Sequence, residues 1–273
     1  MFEILMAGNR KVAEGLLLVV LSYTLHNVKP AAFSFLTMDR AAENPAYVPP
    51  SAGQAAYLDR LLKAKNPASS FRLVDVGKDY GRLLAHTVAD CGIYTPYTLL
   101  RLLADRLPAL QGKVLYLDTD IVIAHDLTDL FATDLAGCEF AAARDILGRV
   151  FIYPNYQNAG VMLLDLDRIR QTGLFARCRR LLAAERLPFP DQDALNKLVG
   201  KRKFLPPRYN TQGRPHRDTV IKHFPKTIRF FPWFHTLNIK PWMIDRVHDT
   251  LHIHDYDREL EAFAARRDVF LGL

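Results

Sequence analysis

The chain has 273 residues, 49% of them hydrophobic, which is enough to bury a substantial core and excludes a low-complexity or disordered polypeptide. Its formal net charge is +7, which suits phosphorylated ligands or an anionic membrane surface, but its basic clusters (Arg179-Arg180, Lys201-Arg202-Lys203, Arg266-Arg267) are too short for a nucleic-acid arm, and no nucleic acid is expected as a partner. The three cysteines, Cys91, Cys138 and Cys178, lack metal-ligand spacing and read as ordinary thiols of a reducing compartment.

In chain order, Phe2 to Ala7 reads as a strand, followed by the loop signal Gly8-Asn9. The segment after Lys11, "VAEGLLLVVLSYTL", imitates a secretory signal. However, an apolar strand precedes it, Glu14 interrupts it, and its unbroken run 16–22 is far shorter than the roughly 20 residues of a membrane span. It reads instead as a buried helix over 12–25, apolar nearly all round. A second strand over 31–38, a Pro-rich loop over 40–53, a helix over 54–64 and a third strand over 71–76 follow. Pro96 opens a helix over 97–106 that carries Arg101. The alternation predicts an α/β domain with a mainly parallel sheet, whose ligands sit beyond the carboxyl ends of the strands.

At such an end lies "VLYLDTDIVI" (114–123), a run with strand character that carries Asp118 and Asp120. Residues i and i+2 of a strand face one side, so the two carboxylates converge and Thr119 turns away. Two converging carboxylates repel, and a hard divalent cation, Mg²⁺ or Mn²⁺, relieves the repulsion and can bridge to diphosphate oxygens. A pair of loop-capping acids is the plainer alternative. "LDTDIV" also fits the D-x-D nucleophile motif of haloacid-dehalogenase-type phosphatases, with Asp118 attacking phosphorus. That chemistry wants a late acidic pair, which the sequence does not offer convincingly.

Downstream, a strand over 138–145 ends in Asp145. "NAGVMLLDL" (158–166) is a strand entered through Asn158 and Gly160, and residues 166–185 form an amphipathic helix broken near Gly173. "DQDALNKLV" (191–199) starts a helix with acids in its first turn. "DTVIKHF" (218–224) is a short strand ending in His223, "KPW" begins at Lys240, and a charged helix is expected near the end of the sequence.

Taken in order, "KVLYLDTDIVIAHDLTDLF", "NAGVMLLDL", "DQDALN", the strand bearing His223 and "KPW" resemble glycosyltransferase family 8, which includes bacterial lipooligosaccharide galactosyltransferases and glycogenin. The resemblance runs over about residues 2 to 243. It implies a GT-A fold, a Rossmann-like mixed and mainly parallel sheet flanked by helices, over 1–245, with 246–273 as a helical extension. It also implies a UDP-sugar donor, Mn²⁺ or Mg²⁺, and retention of anomeric configuration. By this resemblance Asp118 and Asp120 are metal ligands of the D-x-D motif, with Thr119 between them beside the donor. Ala7 and Asn9 occupy the nucleotide-recognising loop. The family often has Asp where Asn9 stands, and an Asn amide still offers a donor and an acceptor to a base edge. Lys11 is a further candidate there. Arg101 resembles a donor-contacting Arg, and a surface ion pair is its alternative. Asp145 and Asn158 flank the donor sugar. Asp191 holds sugar hydroxyls and Gln192 lies near the anomeric carbon, with N-capping by Asp191 or Asp193 as the alternative. The third metal ligand is expected at His223, with His235 as second candidate, and Lys240 neutralises the diphosphate. The aromatic run Phe230, Phe231, Trp233, Phe234 reads as loop packing or as an acceptor platform. His248, His252 and His254 read as surface histidines.

The expected activity is transfer of glucose or galactose from a UDP-sugar to a carbohydrate or glycolipid acceptor in surface polysaccharide or lipopolysaccharide synthesis. The expected place is the cytoplasm, with peripheral contact at an anionic membrane. A non-catalytic sugar-nucleotide binder is a third class, against which the intact set of acids argues.

Overall fold

The computed structural model describes the chain except residues 86, 89–94, 230–232 and 234, so Cys91, Phe230, Phe231 and Phe234 lie outside the described residues. Strand β1 (Phe2–Ala7) leads into α1 (Ala13–His26), then β2 (Ala31–Thr37), α2 (Ala52–Lys65), β3 (Ser70–Asp75) and α3 (Gly77–Leu83). Helix α2 starts two residues before its expected position because Ser51 and Gln54 form a reciprocal capping box. The expected helix around Arg101 is a 3₁₀ helix, Pro96–Arg106. Three residues per turn stack Thr98 under Arg101, whose Nε donates to the Thr98 carbonyl at 3.3 Å.

The run 114–123 is not one strand. β4 (Lys113–Leu117) stops at the first aspartate, and β5 (Ile121–Ile123) leaves the sheet. A continuous strand would bury both carboxylates, whereas the break leaves them at the lip of a cleft. After α4 (Thr128–Ala132) come β6 (Phe140–Arg144), α5 (Gly148–Phe151), β7 (Gln157–Asp165), α6 (Leu166–Thr172), α7 (Leu174–Ala184), α8 (Pro190–Leu198) and β8 (Lys203–Phe204). Then follow β9 (Ile221–His223), shorter than the expected 218–224, β10 (Thr227–Arg229), β11 (His235–Leu237), α9 (Ile244–Asp249) and α10 (Asp257–Leu271).

The main sheet runs β3-β2-β1-β4-β7-β6-β8. β1, β2, β3 and β4 are parallel neighbours, and β7 runs antiparallel to both β4 and β6. From β1 the chain winds outward through β2 and β3, then returns to place β4 on the other side of β1. The strand order therefore reverses between β1 and β4, where ligands bind in open α/β sheets. The reversal of β7 has a functional consequence. Its first residues, not its last, lie beside the carboxyl ends of β4 and β6, so Asn158 and Asp145 reach the same cleft.

Two apolar layers cover the sheet. Along β1, Ile4 and Met6 join one layer and Leu5 the other; along β4, Leu115 and Leu117 oppose Val114 and Tyr116. Helix α1 needs no polar face because β5, α2 and α10 pack around it. Phe263 and Phe270 of α10 are fully buried in the α1 layer, while Arg267 pairs with Glu14 at 2.6 Å and His26 pairs with Glu259. Cys138 and Cys178 are buried free thiols, and burial pushes that of Cys178 up to about 12.

Candidate active site

The cleft at the switch point is a cavity of about 820 Å³. Ala7 and Asn9 line it from the end of β1, Asp118 to Asp120 from the β4–β5 break, and Asp145 from the end of β6. Asn158 and Gly160 enter at the start of β7, Asp191 and Gln192 on the first turn of α8, and His223 and Lys240 complete the wall. Lys11 does not line it; its side chain is exposed, with the ammonium 5.7 Å from the Tyr47 ring centre. The Asn9 side chain accepts from the Lys11 amide at 3.1 Å.

Pairing of β5 with β9 sets Ile121 opposite His223, and the Phe224 amide donates to the Asp120 carbonyl at 2.9 Å. This short ladder brings His223 to the aspartates across a hundred residues of sequence. His223 Nε2 lies 3.2 Å from Asp120 Oδ1 and 3.9 Å from Asp118 Oδ2. Asp118, Asp120 and His223 thus offer three ligand atoms within 4.8 Å of one another. His235 joins no such group among the described residues. It opens β11, and its Nδ1 lies 2.8 Å from the Trp233 carbonyl.

The tautomer of His223 follows from a chain of hydrogen bonds. The Gly160 amide, which can only donate, lies 2.9 Å from Asn158 Oδ1, while Asn158 Nδ2 donates to Asp145 Oδ2 at 2.7 Å. Asn210 Nδ2 then donates to Asn158 Oδ1 at 2.8 Å, so Asn210 Oδ1 faces His223 Nδ1 at 3.0 Å and accepts its proton. A protonated ring presents an Nε2–H donor to the two carboxylates, whereas a neutral ring presents its Nε2 lone pair to them. That second arrangement is repulsive without a cation or a proton among them, and it is the arrangement a divalent cation uses. The space fits as well: a Cβ on Gly160 would fall 2.3 Å from His223 Cε1 and 3.0 Å from Asp118 Oδ2. Two carboxylates and one imidazole form a donor set suited to Mn²⁺ or Mg²⁺.

Around this group the charges are paired. Asp120 Oδ2 accepts from Lys240 Nζ at 2.5 Å. Burial alone would raise the Asp120 carboxyl, but His223 and Lys240 outweigh it and hold the group well below its usual range. Asp118 Oδ1 accepts from Arg101 Nη2 at 2.8 Å and from the Tyr116 hydroxyl at 2.9 Å. Arg101 is no surface residue. It is buried 4.2 Å from the Tyr116 ring centre, with Nε 3.0 Å from Asp191 Oδ2, and so links the aspartate pair to the α8 acid. Asp191 is raised, by burial first, with Arg101 opposing. The amide oxygen of Gln192 accepts from Ala159 N at 2.8 Å, and its Nε2 lies 3.4 Å from Asp145 Oδ2. Neither Asp191 nor Asp193 is the N-cap of α8, which is Phe189; Asp193, one turn into the helix, reaches back to accept from the Phe189 amide at 2.9 Å. Thr119 is buried, and its carbonyl sits where a Cβ on Gly15 would lie 2.4 Å away, so α1 can approach the break only at a glycine.

Three contributors escaped sequence reasoning. Asn210 carries no motif. Tyr116 reads as a core aromatic in a strand. Trp242 was visible in "KPW" but had no role; it lines the cavity and packs against Gly15.

The chain belongs to the family described as glycosyl transferase family 8, whose model matches residues 4–245. Among curated relatives, lipopolysaccharide 1,2-glucosyltransferase of Escherichia coli strain K12 is 32% identical over 128 residues, covering 42% of this chain and 36% of that protein. Glycosyltransferase GlyA of Streptococcus pneumoniae is 47% identical over 55 residues, covering 20% of this chain and 8% of that protein. The matches thus span well under half of these relatives. An active-site mutant of LgtC superposes with a TM-score of 0.69 at 21% identity, over 97% of this chain and 95% of that one. That likeness establishes the mixed, mainly parallel GT-A-like fold. No comparison supports the phosphatase alternative.

Proposed function

We propose that the chain transfers glucose or galactose from a UDP-sugar to a carbohydrate or glycolipid acceptor, with retention of anomeric configuration. The reading places it in lipopolysaccharide or other surface-polysaccharide synthesis, at the cytoplasmic face of the membrane. No helix of the described residues is long and apolar enough to cross a membrane. The observation that carries the reading is the convergence of Asp118, Asp120 and the tautomer-fixed His223 in the switch-point cavity of a family 8 chain.

In this reading Asp118, Asp120 and His223 hold Mn²⁺ or Mg²⁺, which supplies charge stabilisation for the diphosphate of the donor. Ala7 and Asn9 border the nucleotide end of the cavity. Lys240, on Asp120 in this structure, is placed to add positive charge as UDP departs. Arg101 keeps Asp118 and Asp191 in register, and Asp145, Asn158, Asp191 and Gln192 surround the sugar. Neither group on the α8 turn is a free nucleophile. Asp191 is engaged by Arg101, and the Gln192 oxygen is spent on Ala159 N–H. Front-side attack by the acceptor hydroxyl on an oxocarbenium-like sugar therefore fits better than a covalent intermediate. Proton NMR of the first-formed product from UDP-glucose or UDP-galactose tests the retention that both routes share: an α-linked product is expected, and a β-linked one would sink both versions.

A further inference from the structure

The lip of the cavity beyond Asp145 is apolar and exposed. Ile146, Val150, Phe151 and Ile152 stand 44%, 69%, 63% and 46% exposed within seven consecutive residues. Scattered exposed apolar residues are ordinary, but four on one short segment form a patch. The backbone beneath them is fixed. Gly148 is pressed under Tyr156, where a Cβ would come 2.1 Å from the ring. Gln212 accepts from the Ile146 amide at 3.1 Å and donates to the Arg144 carbonyl at 3.0 Å, clamping the segment to the neighbouring loop. That loop places Gly213 against Ile146 and continues to exposed Arg214 and Arg217, while exposed Arg149 lies within the patch. Of the two acids in these segments, Asp218 is exposed and Asp145 turns inward to the Leu147 and Gly148 amides.

Exposed aliphatic and aromatic side chains with one arginine among them and two more on the adjoining loop are the composition of a surface that enters the headgroup region of an anionic bilayer. A second copy fits less well, because it would set arginines against arginines on a chain of net charge +7. We infer that this lip docks on an anionic lipid surface and opens the sugar end of the cavity toward the membrane, so that the acceptor is a lipid-linked glycan. β6 stands three strands from β1, about 14 Å, so the lip adjoins Asp145 and Gln192 and leaves the Ala7–Asn9 end clear. Delivery of the acceptor rests on the transferase reading; the docking itself does not.

The test is co-sedimentation of the full chain with phosphatidylcholine vesicles and with vesicles containing phosphatidylglycerol. Binding is expected to the anionic vesicles. It should weaken about tenfold in Val150→Asp and in Arg149→Glu and persist in Val150→Leu, with unchanged thermal melting. Equal binding by wild type and Val150→Asp, or no binding to anionic vesicles, would overturn the docking. So would sedimentation velocity showing a dimer that Val150→Asp dissociates, which would give the patch to a second copy. UDP-sugar hydrolysis in solution separates the two readings. Hydrolysis without vesicle binding removes only the docking, and vesicle binding without hydrolysis of any donor removes only the transferase.

Discussion

Asp120 is a carboxylate kept ionised against its burial by His223 at 3.2 Å and Lys240 at 2.5 Å. Its folded value is depressed, so it contributes stability that is present above the unfolded value of about 3.9 and is lost as pH falls toward the folded one. In metal-free protein, the melting-temperature gap between wild type and Asp120→Asn should be full above about pH 5 and shrink below about pH 4. A gap of equal size at pH 3 and pH 6 would contradict this. Asn210 acts at one remove, by taking the Nδ1 proton of His223. Asn210→Ala should weaken Mn²⁺ binding about 10–100-fold, read by calorimetry, and should also lower the melting temperature of the metal-free chain, because it removes two buried hydrogen bonds. Unaltered affinity would show that the ring holds its orientation without the amide.

At the scale of elements, Gly173 joins α6 to α7 in a left-handed conformation at φ +65°. Gly173→Ala should cost about 1–2 kcal/mol, lowering the melting temperature by several degrees, because any Cβ is strained there. Denaturant unfolding would check the figure. That break was legible from the glycine inside an amphipathic run, as were β1, α1, β2, α2, β3 and β7 from their apolar periodicity. What sequence could not supply came from pairing. β5 has three residues and takes its identity from pairing with β9, which was legible as a strand over 218–224 but not as the partner of β5. β8 has two residues, and β10 and β11 form a separate small sheet. The order Asp118, Asn158, Asp191, His223 was readable as motifs. The third side of the site, Asn210, was not, because a single Asn in a loop has no period and no neighbour in sequence that marks it. His223 was favoured over His235 because a strand end fixes a ligand, and it is the His that meets the aspartates among the described residues.

At the scale of the molecule, the final helix shares the core of the sheet. Phe263 is fully exposed to none of the solvent and sits in the same apolar layer as α1. Phe263→Ala should cost about 3–5 kcal/mol of folding stability in the whole chain. A loss under about 1 kcal/mol would mean that α10 is a loosely held appendage. Because α1 also backs the β4–β5 break through Gly15 and Thr119, loosening α10 should reach the aspartates through that helix. The central claim is that the aspartate–histidine group serves a nucleotide-sugar donor. UDP release from a panel of UDP-sugars, with Mn²⁺ and with chelator, in wild type and Asp120→Asn, tests it most directly. Metal-dependent release from one donor, lost in Asp120→Asn, is the expected result. Release that is indifferent to metal and to Asp120, or no binding of any UDP-sugar, would contradict it.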